Sequence, residues 1–130
     1  TCALPISFLI TFMETIHPVV CYAMRIVEET TGKVFVFTGD SGYLESFADF
    51  AKDADLFLAD TYLFEGNEHH HAHFTSKEAG ELAKSANVKK LVLTHLPQFG
   101  DLEQLKNEAQ KAAGKGIDIE LAAVDKVFNI

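Results

Sequence analysis

Five residues in this chain carry side chains suited to metal-assisted acid–base chemistry, and four of them end apolar runs. His17 stands in Thr-Ile-His-Pro, Asp40 in Thr-Gly-Asp, Asp60 in Leu-Ala-Asp and His95 in Leu-Thr-His-Leu. His73 closes the cluster His69-His70-His71-Ala72-His73. Imidazole nitrogen and carboxylate oxygen are donors that hold Zn²⁺, and a bound ion turns water into a nucleophile near neutral pH. Each residue taken singly also has a plainer reading. His17 fits a loop histidine, Asp40 and Asp60 fit turn or capping residues, and His95 fits a hydrogen-bonded strand end. His69, His70 and His71 fit a solvated loop. The joint order of His17, Asp40 and His95 gives the ligand reading its weight.

The elements that must position them follow from hydrophobic patterning. Residues 8–15 and 20–28 are rich in β-formers and read as strands. A turn at 29–33 leads into a strand at 34–37, so the second and third strands form a hairpin. Residues 43–53 read as a helix with Leu44, Phe47, Phe50 and Ala51 on one face. A strand at 56–59 ends at Asp60, and a polar loop with Gly66 carries the histidines. Thr75-Ser76-Lys77-Glu78 fits a capping box opening a second helix, striped by Ala79, Leu82, Ala83 and Ala86. A strand at 91–93 runs to His95, and Asp101 caps a third helix. Residues 117–122 and 126–130 read as closing strands.

The middle strands are continuous apolar runs, as in strands buried on both faces. Three amphipathic helices suffice for one face. The expectation is that another layer precedes Phe8, and that without it Phe35, Phe37, Phe57 and Val92 belong to an exposed apolar face prone to self-association, hence to a homo-oligomer.

Bulk properties bound the function. The 130 residues suit one domain, and 48% hydrophobic residues with 11 Phe supply a core. A net charge of -8 disfavours non-specific binding to nucleic acid or anionic membrane. No apolar run is long enough to span a bilayer. Two cysteines give no disulfide framework, so a cytoplasmic location is the expectation. Residues 1–7, Thr-Cys-Ala-Leu-Pro-Ile-Ser, can be encoded by a nucleotide string resembling a common sequencing adapter, so fold reasoning starts at Phe8.

Read together, Thr15-Ile16-His17-Pro18-Val19, Cys21 to Ile26, and Phe37-Thr38-Gly39-Asp40 resemble the second half of a metallo-β-lactamase-fold hydrolase of the ribonuclease-Z-like branch. Leu58-Ala59-Asp60, Glu65-Gly66, His73-Phe74-Thr75-Ser76 and Leu91 to Leu96 follow in the same order. The resemblance covers residues 8–130. It implies an α/β fold: the C-terminal half of an αββα sandwich, a mixed sheet with helices on one face. It implies two divalent metal ions, zinc first, with manganese and iron as alternatives. His17, Asp40 and His95 match metal ligands, with Asp40 bridging. The implied catalytic set is His73, which donates a proton to the leaving group, with Asp60 orienting a histidine.

One departure from the family is large. The His-x-His-x-Asp-His signature that supplies four ligands upstream of the His17 position is absent. The expectation is that it lies on an N-terminal half of the same domain, which becomes an obligatory partner, and that the fragment alone is inactive. The 22 residues between His17 and Asp40 leave room for a hairpin and for no inserted tRNA-binding arm. A small phosphodiester or another ester therefore ranks above RNA as substrate, cleaved by hydroxide activated between two metals. The rival reading is a small non-catalytic α/β binding module with a histidine-rich loop.

Overall fold

A computed structural model describes residues 7–130. The adapter-like segment, apart from Ser7, lies outside the described residues. Six strands form one mixed sheet in sequential order: β1 (Phe8–Glu14), β2 (Tyr22–Glu28), β3 (Val34–Phe37), β4 (Leu56–Asp60), β5 (Lys90–Thr94) and β6 (Asp118–Leu121). The first three pair antiparallel, and β3 to β6 run parallel. The helices are α1 (Phe47–Phe50), α2 (Ser76–Ser85) and α3 (Leu102–Ala113).

Strand alternation divides the apolar residues between two faces. Ala23, Val34, Val36, Phe57, Ala59, Leu91, Leu93 and Ile119 join one core with Phe47 and Phe74, Ala79, Leu82 and Ala83 of α2, and Ala109 and Ala113 of α3. The opposite face carries Ile26, Phe35, Leu56 and Leu58. There the C-terminal segment folds back, and Ala122, Ala123, Phe128 and Ile130 line a cavity of about 340 Å³ with Phe35, Leu56 and Leu58.

Three expectations need correction. Residues 43–53 do not form one helix. Only Phe47–Phe50 is helical, and i→i+3 bonds at Phe47, Ala48 and Lys52 tighten the flanks into turns. Asp53 ends the segment at φ +55, its N–H bonded to the Ala86 carbonyl at 2.8 Å. Residues 126–130 are not a strand. The chain turns at 123–126, where the Lys126 N–H meets the Ala123 carbonyl at 3.2 Å and Asp125 adopts φ +61. That turn carries the tail off the sheet edge and across the face. Finally, Phe57 and Val92 are fully buried. Phe57 faces the helices, and Val92 pairs with Leu58 and Glu120 on the face that the tail partly covers. Exposure is instead concentrated on β1, where Phe8, Leu9, Ile10 and Phe12 are all exposed.

Candidate metal centre

The ends of the strands converge because their loops are tied together. Thr15 Oγ1 donates to the Asp40 carbonyl at 3.0 Å, and the Gly42 N–H donates to the Ile16 carbonyl at 2.8 Å. These bonds join the His17 loop to the Asp40 loop. Gly39 adopts φ +61, and a Cβ there would stand 2.9 Å from the Tyr22 carbonyl oxygen. Only glycine makes the turn that presents Asp40. A Cβ on Gly42 would fall 2.2 Å from the His70 carbonyl oxygen, so this glycine lets the histidine loop pack directly on the Asp40 loop.

Asp60 anchors the centre. It is 1% exposed, and its Oδ2 accepts the Ser41 N–H at 3.1 Å and lies 2.8 Å from His73 Nδ1. The Asp60 N–H is itself held by Thr38 Oγ1 at 2.9 Å. His95 Nδ1 is 3.2 Å from Asp40 Oδ1 and 3.4 Å from Asp60 Oδ1. The latter is close enough for an ion pair, yet Asp60 Oδ1 makes no hydrogen bond. It is the one such buried side-chain atom among the described residues. The His73 ring lies 4.9 Å from that of His95 and 5.7 Å from that of His17, both edge-on. The other four residues singled out in the sequence thus gather around His73.

The electrostatics follow from burial. Desolvation pushes the Asp60 carboxyl up to about 7, and Asp40 adds to the rise, while the Ser41 N–H and His95 oppose it. Burial also draws His73 below the ordinary histidine value. Asp40 resists, and the charges of His17 and His71 add to the fall. A buried carboxylate oxygen without a partner is a place for a cation or a proton. Asp60, His73 and His95 each offer a ligand atom, and these atoms lie within 4.8 Å of one another. His17 Nδ1 lies 3.2 Å from the Val19 carbonyl and 3.2 Å from the Val19 N–H, so either tautomer of this ring has a backbone partner at Nδ1. The donors are all imidazole or carboxylate, and the set fits a divalent ion such as zinc.

Sequence reading missed two neighbours. Tyr62 packs against both His73 and His95. His70 stacks on His73 at 5.8 Å and 11°, whereas His69 and His71 are exposed as a solvated loop requires. The only hint was proximity in sequence, two positions after Asp60 and three before His73.

Comparison with known proteins shows the family and the fold. The chain is 43% identical over 113 residues to the Bacillus subtilis protein named "Probable metallo-hydrolase YhfI", covering 86% of this chain and 46% of that one. The crystal structure of the metallo-beta-lactamase fold protein YhfI superimposes with a TM-score of 0.81 at 40% identity, over 88% of this chain and 46% of that chain. Ribonuclease Z of Archaeoglobus fulgidus is 37% identical over 93 residues, 68% of this chain and 30% of the relative. Human tRNase Z, short form, shares the fold with a TM-score of 0.66 at 23% identity, over 88% of this chain and 40% of that one. The chain spans about half the length of YhfI and a smaller share of the ribonuclease Z relatives. Residues 7–96 match the model of the beta-lactamase superfamily domain, and with the mixed sheet and the histidine–aspartate centre at its strand ends, the chain belongs to that superfamily and has its metallo-β-lactamase fold.

Proposed function

We propose that this chain supplies the second half of the active site of a metal-dependent hydrolase that cleaves a small phosphodiester. The observation that carries the reading is the 2.8 Å contact between His73 Nδ1 and the buried Asp60 carboxylate, set among His17, Asp40 and His95. In this reading His17, Asp40 and His95 would hold divalent metal, zinc first, with the Asp40 carboxylate as the shared ligand. Bound ions supply an activated water and offset the negative charge of the transition state.

The chain's own residues do the rest. Asp60 fixes the His73 tautomer by accepting a hydrogen bond from Nδ1–H, which leaves Nε2 as the position that exchanges a proton with substrate. A phosphodiester leaving as an alkoxide needs that proton. The imidazolium gives it from Nε2 and becomes neutral, and the burial that draws His73 below its ordinary value eases that release. With a net charge of -8, the chain attracts no polyanion by itself, which favours a small substrate over RNA. The missing ligands come from an N-terminal half of the same domain, and a cytoplasmic location completes the proposal.

The test uses the full-length protein. Asp40→Ala abolishes hydrolysis and lowers bound metal while leaving the fold intact. His73→Ala keeps its metal and slows turnover by roughly 10²–10⁴-fold on alkyl phosphodiesters. The loss shrinks on nitrophenyl esters, whose leaving group needs no proton. Equal losses on both substrates, or loss of metal from the His73 variant, move His73 from proton donor to ligand, as the mutual proximity of Asp60, His73 and His95 also allows.

A further inference from the structure

Tyr62 occupies a position that the proposed chemistry does not use. Its ring lies 5.1 Å from that of His73, tilted by 53°, and 5.3 Å from that of His95, tilted by 35°. Both distances fall in the range of favourable aromatic packing. The backbone on each side of Tyr62 is pinned. The Thr61 N–H donates to the Thr94 carbonyl at 2.9 Å, beside His95. The Leu63 N–H donates to the Phe74 carbonyl at 3.2 Å, beside His73, and the Ser76 N–H returns to the Leu63 carbonyl at 2.8 Å. Tyr62 therefore bridges the two segments that carry these histidines.

His95 has the greater need of such a neighbour. It sits just past β5 in the left-handed region, at φ +51, and its side chain is 41% exposed. Its Nδ1 faces Asp40 and Asp60 at 3.2 and 3.4 Å, and neither contact fixes the plane of the ring. A left-handed backbone at a non-glycine residue persists when its surroundings hold it. The Tyr62 ring supplies a surface against which the imidazole rests. It also holds His95 edge-on to His73, at 82°.

We propose that Tyr62 is a positioning residue that clamps the His73 and His95 rings in their working orientations. The inference rests on the hydrolase reading for its purpose, although the clamp itself is a statement about ring order. The ring does the work, so Tyr62→Phe retains the function and Tyr62→Leu loses it. At 36% exposure Tyr62 lies at the surface of the core, and both variants are expected to fold.

The experiment has two readouts on the full-length protein, with circular dichroism as the folding control. Imidazole ¹⁵N–¹H NMR of the metal-free protein reports ring tautomers. Wild type and Tyr62→Phe show His73 as a single Nδ1–H tautomer, and Tyr62→Leu shows mixed tautomers and shifted His95 signals. Chelator competition with zinc ion alone reads affinity. An aromatic pair corresponds to a factor of roughly 2–12 in an equilibrium constant, so Tyr62→Leu raises the zinc Kd about 3- to 10-fold and Tyr62→Phe leaves it unchanged. Unchanged histidine signals and zinc affinity in Tyr62→Leu overturn the clamp. A Tyr62→Phe variant as impaired as Tyr62→Leu also overturns it, because the hydroxyl then carries the effect. If wild type binds neither zinc, manganese nor iron, the metal-dependent hydrolase reading fails, while the NMR comparison still decides the clamp.

Discussion

Glu78 links helix capping to the histidine centre, and removing it should damage both. Glu78 is buried on the first turn of α2. Its Oε2 accepts the Thr75 N–H at 2.9 Å and Thr75 Oγ1 at 3.1 Å, and its Oε1 accepts the His69 N–H at 2.7 Å. Thr75 is fully buried and His69 is exposed. Glu78→Ala strands the two Thr75 donors away from water, at about 1–3 kcal/mol for each buried unsatisfied group. Water replaces the acceptor at His69, so that bond contributes less. Since Thr75 Oγ1 still accepts the Glu78 N–H and its hydroxyl can turn, we expect a total near 3 kcal/mol. For a full-length protein about twice this size that corresponds to a fall in Tm of roughly 6–12 °C. Glu78→Gln keeps one acceptor oxygen and should lose about half as much. Urea and thermal unfolding of the full-length protein measure both, with Glu81→Ala, exposed on the same helix, as control. Because Thr75 follows His73 by two positions, the Ala variant should also broaden the His73 NMR signals. A loss in Glu78→Ala no larger than in Glu81→Ala would refute the reasoning.

Three further outcomes follow from individual contacts. Gly80→Ala should destabilise despite the higher helix propensity of Ala. Its Cβ would stand 2.3 Å from the Ala109 carbonyl oxygen and 2.9 Å from Ala112 Cβ, where α2 meets α3, at about 1–3 kcal/mol of overpacking in a denaturant titration. Gly116→Ala, with open space around it, should stay within about 0.5 kcal/mol of wild type. Asp55 supplies a pH dependence: burial pushes its carboxyl up, but the Lys89 hydrogen bond, the Val34 N–H and the Lys33 charge together hold it below the ordinary value. A lowered folded pKa stabilises above the unfolded value of about 4 and loses that contribution as pH falls through the folded value, so the Tm gap between wild type and Asp55→Asn should be open at pH 7 and narrow below about pH 4.

Much of the fold was legible because its signals are local. The capping box at Thr75–Glu78 and the Asp101 cap on Glu103 need only neighbouring residues to specify them. The segment at 43–53 was misread because its apolar stripe is real, while i→i+3 turns and a left-handed Asp53 tied to Ala86 divert the backbone. The tail was misread for a related reason. Its β-forming residues carry no record of the turn at 123–126 that lifts it from the sheet edge onto the apolar face.

The sequence by itself determined which donors are available and in what order. It also carried the resemblance that assigns His17, Asp40 and His95 one role and His73 and Asp60 another. Only the tertiary structure decided that His17, Asp40, Asp60 and His95, from separate segments, gather around the His73 imidazole, and that Asp60 is buried with an oxygen lacking a partner. Only it could place Tyr62 between His73 and His95. The physical reason is range. Periodicity and capping act over a few residues, whereas desolvation, ring packing and ligand convergence depend on which chain ends the sheet brings together.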